Sequence, residues 1–100
     1  VYKLTERAVD DFRGIYDYTL RVFGETQADG YTDALEAFFE TLSEMPAIGR
    51  DYDAVPGVMK ISFQAHMIFY AVRDGGILIA RILHQQMDPR RHLGEVFLRG

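Results

Sequence analysis

The stretch HMIFYAVRDGGILIARILHQ, residues 66–85, decides the fold. At its centre Asp74, Gly75 and Gly76 supply residues that tolerate the positive φ a tight hairpin turn demands, and apolar runs flank them on both sides. The spacing predicts two antiparallel strands. Met67, Phe69 and Ala71 fall on one face and Ile68, Tyr70 and Val72 on the other. A sheet half open to water would alternate more cleanly, so both faces need cover.

Just upstream, VMKISF (58–63) sets Met59, Ile61 and Phe63 opposite Lys60 and Ser62, and Gln64-Ala65 turns the chain into the hairpin. The segment PAIGRDYDAVPG (46–57) has two prolines and two glycines and no sustained period, which predicts a surface loop. VYKL at the start predicts a short edge strand.

Between these lie two helical patterns. Leu4, Ala8, Phe12, Ile15, Tyr16 and Phe23 recur at spacings of three and four, with Asp10, Asp11, Arg13, Asp17 and Arg21 between them. This predicts an amphipathic helix over about 5–23, capped by the Thr5 hydroxyl and closed by Gly24 in the left-handed conformation. Ala28, Tyr31, Leu35, Phe38, Leu42 and Met45 form a second seam, with Thr26 and Asp29 offering a first-turn cap and Pro46 ending the helix. Gly30 costs about 1 kcal/mol relative to Ala inside a helix, which points to close backbone packing there. So short a link as Gly24-Glu25-Thr26 makes the two helices antiparallel.

The expected class is therefore α+β: an N-terminal antiparallel helical hairpin (about 5–45), a loop (46–57), a small, mainly antiparallel sheet (58–86) and a tail (87–100), in one domain of 100 residues. The helices can cover one face of the sheet. The other is left to the tail, through Val96, Phe97 and Leu98, and to a partner.

Composition narrows the function. With 48% hydrophobic and 26% charged residues the chain is globular in character, and the absence of cysteine excludes disulfides and thiolate zinc sites. No apolar run reaches the roughly 20 residues of a membrane helix, and VYKLTERAVDDF lacks the apolar stretch of a signal peptide, so the expectation is a cytoplasmic protein without membrane partners. Charge is uneven: residues 1–57 carry 5 Lys and Arg against 12 Asp and Glu, residues 58–100 carry 6 against 3. All three histidines also lie in the second part.

That cationic character concentrates in RILHQQMDPRRHL (81–93). Arg81 is a charge set in an apolar strand, which is costly unless it is paired or forms part of a site, and the sequence leaves both readings open. His84 and His92 have the chemistry of a general acid-base pair, yet histidines at strand ends are more often plain hydrogen-bonders. His66, His84 and His92 lack metal-ligand spacing, and no phosphate-cradling glycine loop or nucleophile elbow occurs, so neither metal nor cofactor is expected. Asp88-Pro89 favours a turn, with Pro89 opening a short helix and Arg90 and Arg91 solvated.

Several stretches together resemble ParE-type toxins of the RelE/ParE superfamily: LTERAVDDFRGIYDYT, FGETQADGYTDAL, PAIGRDYD, VMKISFQAHMIFYAV and ARILHQQMDPRRHL. The resemblance implies the toxic half of a bacterial toxin-antitoxin module of the plasmid-maintenance kind. Such a toxin blocks DNA gyrase and is neutralised by a ParD-like antitoxin, without sequence-specific nucleic-acid binding. Carried onto this chain, it implies a non-catalytic target-binding surface at Arg81, His84, Met87, Asp88, Pro89, Arg91 and His92. For the antitoxin, whose helix and extended segment would lie over helices and sheet, it implies Phe12, Tyr16, Tyr31, Leu35, Phe38, Ile68 and Tyr70. The alternative is the superfamily's other branch, ribosome-dependent mRNA endonucleases. Cleaving RNA needs cations around the phosphate and a late acid or base, and this chain offers only Lys3 and Lys60 among lysines and no Tyr after Tyr70.

Overall fold

The computed structural model describes residues 1–89 and 91–93. In chain order these form β1 (Tyr2–Leu4), α1 (Glu6–Phe23), α2 (Glu25–Glu44), a 3-10 turn (Pro46–Ile48), β2 (Arg50–Asp51), β3 (Met59–Phe63), β4 (His66–Arg73) and β5 (Gly76–His84). The five strands make one sheet in the order β1-β5-β4-β3-β2, with β1 parallel to β5 and every other pairing antiparallel. The α+β class expected from the sequence is the one observed.

The hairpin turns as its residues dictate. Arg73 pairs with Gly76 across Asp74 (φ 26°) and Gly75 (φ 78°), both on the positive side that a two-residue connection requires. At the other end Phe63 pairs with His66 across Gln64 (φ 53°) and Ala65.

Register is broken once. Tyr70 faces Ile79, but Phe69 faces Arg81, so Ala80 is an extra residue in β5 and the strand carries a β-bulge there. Counted at period two, Arg81 would share the face of Ile77 and Ile79. The bulge gives that place to Ile82 and sets Arg81 opposite Phe69.

Two apolar layers result. On the helix side Ala8 and Ile15 of α1 and Leu35, Phe39 and Leu42 of α2 pack against Ile68, Tyr70, Ile77, Ile79 and Ile82. On the far side Val58, Phe69, Leu83 and Leu93 form a smaller cluster with Tyr52, Val55 and Met67 around it. Both faces of the hairpin are thus covered, the second partly by the chain's own Leu93. The tail residues Val96, Phe97 and Leu98 assigned to this task lie outside the described residues.

The segment 46–57 departs from the expected plain loop. Pro46–Ile48 form the 3-10 turn and Arg50–Asp51 add an edge strand to β3. Tyr70 explains why: its hydroxyl donates to the Pro46 carbonyl (2.6 Å) and accepts from the Gly49 amide (3.1 Å), so a buried phenol pins the segment to the sheet. Gly49 sits hard against the Tyr70 hydroxyl and the Lys60 carbonyl, leaving no room for a Cβ.

Helix ends are partly as expected. Thr5 caps α1, its Oγ1 accepting from the Ala8 amide (3.1 Å). Gly24 has positive φ (94°) but ψ of 172°, an extended glycine conformation in place of the left-handed helical one, and it alone separates α1 from α2. Thr26 and Asp29 therefore fall inside α2 and give it no cap; its N-cap is Gly24, without a side-chain bond. Around Gly30 an added Cβ would meet nothing, so the close packing expected there is absent among the described residues. Nor does the apolar seam of α2 follow the expected line: Phe39 is buried while Met45 is 52% exposed.

Candidate functional site

The open edge of β5 shapes the site. β1 pairs only with Ile77–Ile79, so the strand beyond Ile79 would present unpaired backbone groups. Thr5 and the start of α1 satisfy three groups along this edge. The Thr5 amide donates to the Ile79 carbonyl (3.0 Å), Thr5 Oγ1 donates to the Ala80 carbonyl (2.7 Å), and Asp11 Oδ2 accepts from the Ile82 amide (2.9 Å).

The same Asp11 carboxylate takes Arg81 in a two-pronged ion pair, Nε to Oδ2 at 2.8 Å and Nη2 to Oδ1 at 2.9 Å. Both side chains are nearly shut off from water. Arg81 Nη1 also donates to the His92 carbonyl at 3.4 Å. Of the two readings open for Arg81, the structure favours the salt bridge to an acidic helix residue. As a surface for a target its guanidinium is corrected to a buried clamp, 7% exposed, because Asp11 neutralises it inside the fold.

Beside this clamp runs a groove of about 650 Å³. One wall is α1, with Asp10, Asp11, Gly14, Ile15 and Tyr18; Phe23, Gln27 and Tyr31 close the end where the helices meet; Ala65, His66, Ile82, His84 and Met87 make the sheet wall. Much of the lining is apolar, and Tyr18 and Phe23 are exposed at 55% and 62%. A polar cluster interrupts it. His66 and His84 are cross-strand partners with ring centroids 5.7 Å apart, and the Tyr31 hydroxyl lies 2.7 Å from His66 Nδ1. The Gln86 amide donates to His84 Nδ1 (3.2 Å).

Burial pushes the His66 pKa below the usual histidine value, His84 adds to the shift and Asp11 opposes it. Burial likewise raises the Tyr31 phenol, against a weaker opposing backbone hydrogen bond at Ala65. Because the folded His66 resists protonation, the unfolded chain takes up its proton first as pH falls through the histidine range. Stability is therefore expected to be full above about pH 6.5 and to decline on acidification through this group. Melting scans between pH 7.5 and 5 should show a smaller decline for His66→Asn, and equal slopes for the two proteins would refute the assignment.

The proposed target-surface residues other than Arg81 do come together. His84, Met87, Asp88 and Arg91 are exposed and Pro89 and His92 half-buried. The Met87 amide donates to the His84 carbonyl (2.9 Å) and the Arg91 amide to the Asp88 carbonyl (3.2 Å), and the chain is helical from Pro89 over the described residues. Leu93, fully buried, anchors the ending on the far side of the sheet. Arg90 lies outside the described residues.

The proposed antitoxin-binding residues divide. Leu35, Ile68 and Tyr70 are corrected to core: each is fully buried between helices and sheet and presents nothing to a partner. Phe12 and Phe38 are half-buried, packed on Phe39 and Phe63. Tyr16 donates to Asp29 (2.9 Å) and ties the helices together. Tyr31 alone of the set lines the groove. Sequence reasoning did not single out Asp11, Tyr18 or His66 as site residues. Tyr18 carried a signal: an aromatic set between Asp17 and Thr19, off the apolar stripe.

Among the described residues no helix is long and apolar enough to cross a membrane, and no group of three or more His, Cys, Asp or Glu is placed to hold a metal ion. Fold and site define a small α+β domain with a helical hairpin on one sheet face and a largely apolar groove beside it. The model of the family described as ParE toxin of type II toxin-antitoxin system, parDE, matches residues 2–89, and the chain belongs to that family. It is 35% identical over 94 residues to Toxin ParE1 of Caulobacter vibrioides, covering 93% of this chain and 97% of the relative. To Toxin ParE1 of Mycobacterium tuberculosis it is 36% identical over 94 residues, covering 92% and 96%. Its fold matches a chain of a solved structure titled Chromosomal ParDE TA system from P. aeruginosa, with TM-score 0.72 and 24% identity over 83% of this chain and 92% of that one.

Proposed function

We propose that this toxin acts in the cytoplasm by binding and inhibiting DNA gyrase through its polar ending, and that a ParD-like antitoxin neutralises it from the groove. One observation carries the second half: His84 and Met87 belong both to the groove wall and to the exposed ending. A partner seated in the groove covers part of the target surface, so occupancy and toxicity exclude each other. The ending from His84 to His92 supplies the target contacts, and Arg81 holds the strand from which it projects.

The pairing of Arg81 also speaks against RNA cleavage. A phosphate-cleaving site needs cations turned toward the scissile group, whereas this guanidinium is neutralised by Asp11.

The test is a supercoiling assay with purified gyrase, DNA and this protein, with and without excess antitoxin. Inhibition relieved by antitoxin is expected; no inhibition by well-folded protein would refute the gyrase target and direct attention to messenger cleavage on translating ribosomes. For the groove, Tyr18→Ala with Phe23→Ala is expected to weaken antitoxin binding at least about thirtyfold, the effect of losing an aromatic anchor, while thermal stability changes little because both rings are exposed. Calorimetric titration giving unchanged affinity would remove the groove from the proposal.

A further inference from the structure

Asp10, Gly14 and Tyr18 stand one helical turn apart along the groove wall of α1, so Gly14 is a notch between a carboxylate and a ring. A glycine in mid-helix weakens the helix relative to alanine, and the commonest compensation is a close approach within the same chain. Among the described residues there is none: a Cβ built on Gly14 would meet no atom of theirs within 4 Å. Its φ is helical, so conformation does not require glycine either. The notch faces open groove.

The groove also restricts what kind of backbone can fill it. A partner adding a strand would need free amides and carbonyls on the edge of β5 beside it. Of these, the Ile79 and Ala80 carbonyls and the Ile82 amide are already bonded to Thr5 and Asp11. With those three taken, a continuous ladder along this edge is closed to a partner strand, whereas a helix satisfies its own backbone. Apolar side chains of such a helix meet Ile15, Tyr18, Phe23 and Ile82, while its axis comes nearest to α1 where no side chain intervenes.

We propose that Gly14 is the close-approach point for a helix of the antitoxin, crossing α1 at the notch between Asp10 and Tyr18; this rests on the groove being the antitoxin's seat. The free toxin thus carries a weaker helix that is compensated only in the complex. Gly30 of α2 provides the control, because it too is a mid-helix glycine with nothing near its Cβ position among the described residues but does not line the groove.

The experiment measures melting temperature of the free toxin and its affinity for purified ParD-like antitoxin in Gly14→Ala, Gly14→Leu and Gly30→Ala, with Tyr18→Ala/Phe23→Ala alongside. Gly14→Ala and Gly30→Ala are both expected to raise the melting temperature, by about 4 °C each. Affinity is expected to fall about tenfold for Gly14→Ala and further for Gly14→Leu, with no change for Gly30→Ala. Circular dichroism establishes that each variant is folded before binding is read. Unchanged affinity in both Gly14 variants, with Tyr18→Ala/Phe23→Ala weakened, would overturn the notch and leave the groove standing. Unchanged affinity in all groove variants would overturn the groove reading itself. An equal loss in Gly30→Ala would overturn the notch by showing a general effect of stiffening the helices.

Discussion

Replacing Asp11 by alanine is expected to destabilise the protein by about 4 kcal/mol, near the middle of the range for removing one member of a buried ion pair. The loss should exceed that of Arg81→Ala by about 1 kcal/mol, because two groups lose this partner at once. One is the Arg81 guanidinium, which loses the carboxylate that takes its Nε and Nη2. The other is the Ile82 amide, which Asp11 Oδ2 accepts at 2.9 Å on an edge that β1 does not reach. Arg81→Ala orphans the carboxylate alone, and that keeps the Ile82 amide as a partner.

The double variant Asp11→Leu/Arg81→Met sharpens the argument. Removing both charges takes away the desolvation penalty, so it should be more stable than Asp11→Ala, yet still below wild type by about 1–2 kcal/mol for the unsatisfied Ile82 amide. Urea denaturation measures all four proteins by linear extrapolation. Both single variants falling within 1 kcal/mol of wild type would show that the clamp contributes little. A double variant as weak as Asp11→Ala would show that packing at Arg81, and not charge, is what the site requires.

Why the sequence left Arg81 undecided is physical. A strand's faces are read at period two, and one extra residue exchanges them. Counting back from the Asp74-Gly75 turn pairs Phe69 with Ala80 and His66 with Leu83; the bulge at Ala80 pairs them with Arg81 and His84. The histidine pair at the groove and the Arg81 clamp both depend on that inserted residue, and nothing in the apolar run ILIARIL marks it. By contrast, the turns at Asp74-Gly75 and Gln64-Ala65, the Thr5 cap and the helical hairpin rest on local chemistry and were legible. The same division holds for the site. The ending from His84 to His92 is one continuous polar stretch and could be read as a unit. The groove is assembled from α1, the start of α2, the Gln64-Ala65 turn and the end of β5, and no window of sequence contains it. Resemblance supplied the antitoxin but named Leu35, Ile68 and Tyr70, residues whose apolar character serves the core.

A last expected result separates pattern from packing on α2. The regular seam of the sequence includes Met45 and omits Phe39, whereas the structure buries Phe39 at 1% exposure and leaves Met45 at 52%. Phe39 meets Tyr2 of the edge strand at 5.3 Å and Phe12 of α1 at 6.4 Å between ring centroids, so it joins both helices to β1. Phe39→Ala is expected to cost about 3–5 kcal/mol, the transfer energy of the ring together with the cavity it leaves. Met45→Ala should change stability by no more than about 0.5 kcal/mol, since a half-exposed residue at a helix end has little packing to lose. In a domain of this size the first loss lowers the melting temperature by roughly 12 °C or more and the second by a few degrees at most. Equal effects would mean that the seam read from spacing, and not the packing around Phe39, determines where α2 is held. The asymmetry has a cause in the helix period: a strict three-four alternation follows one narrow line, while the layer on the sheet is wide enough to take Thr32 and Phe39 beside Leu35 and Leu42 and ends before Met45.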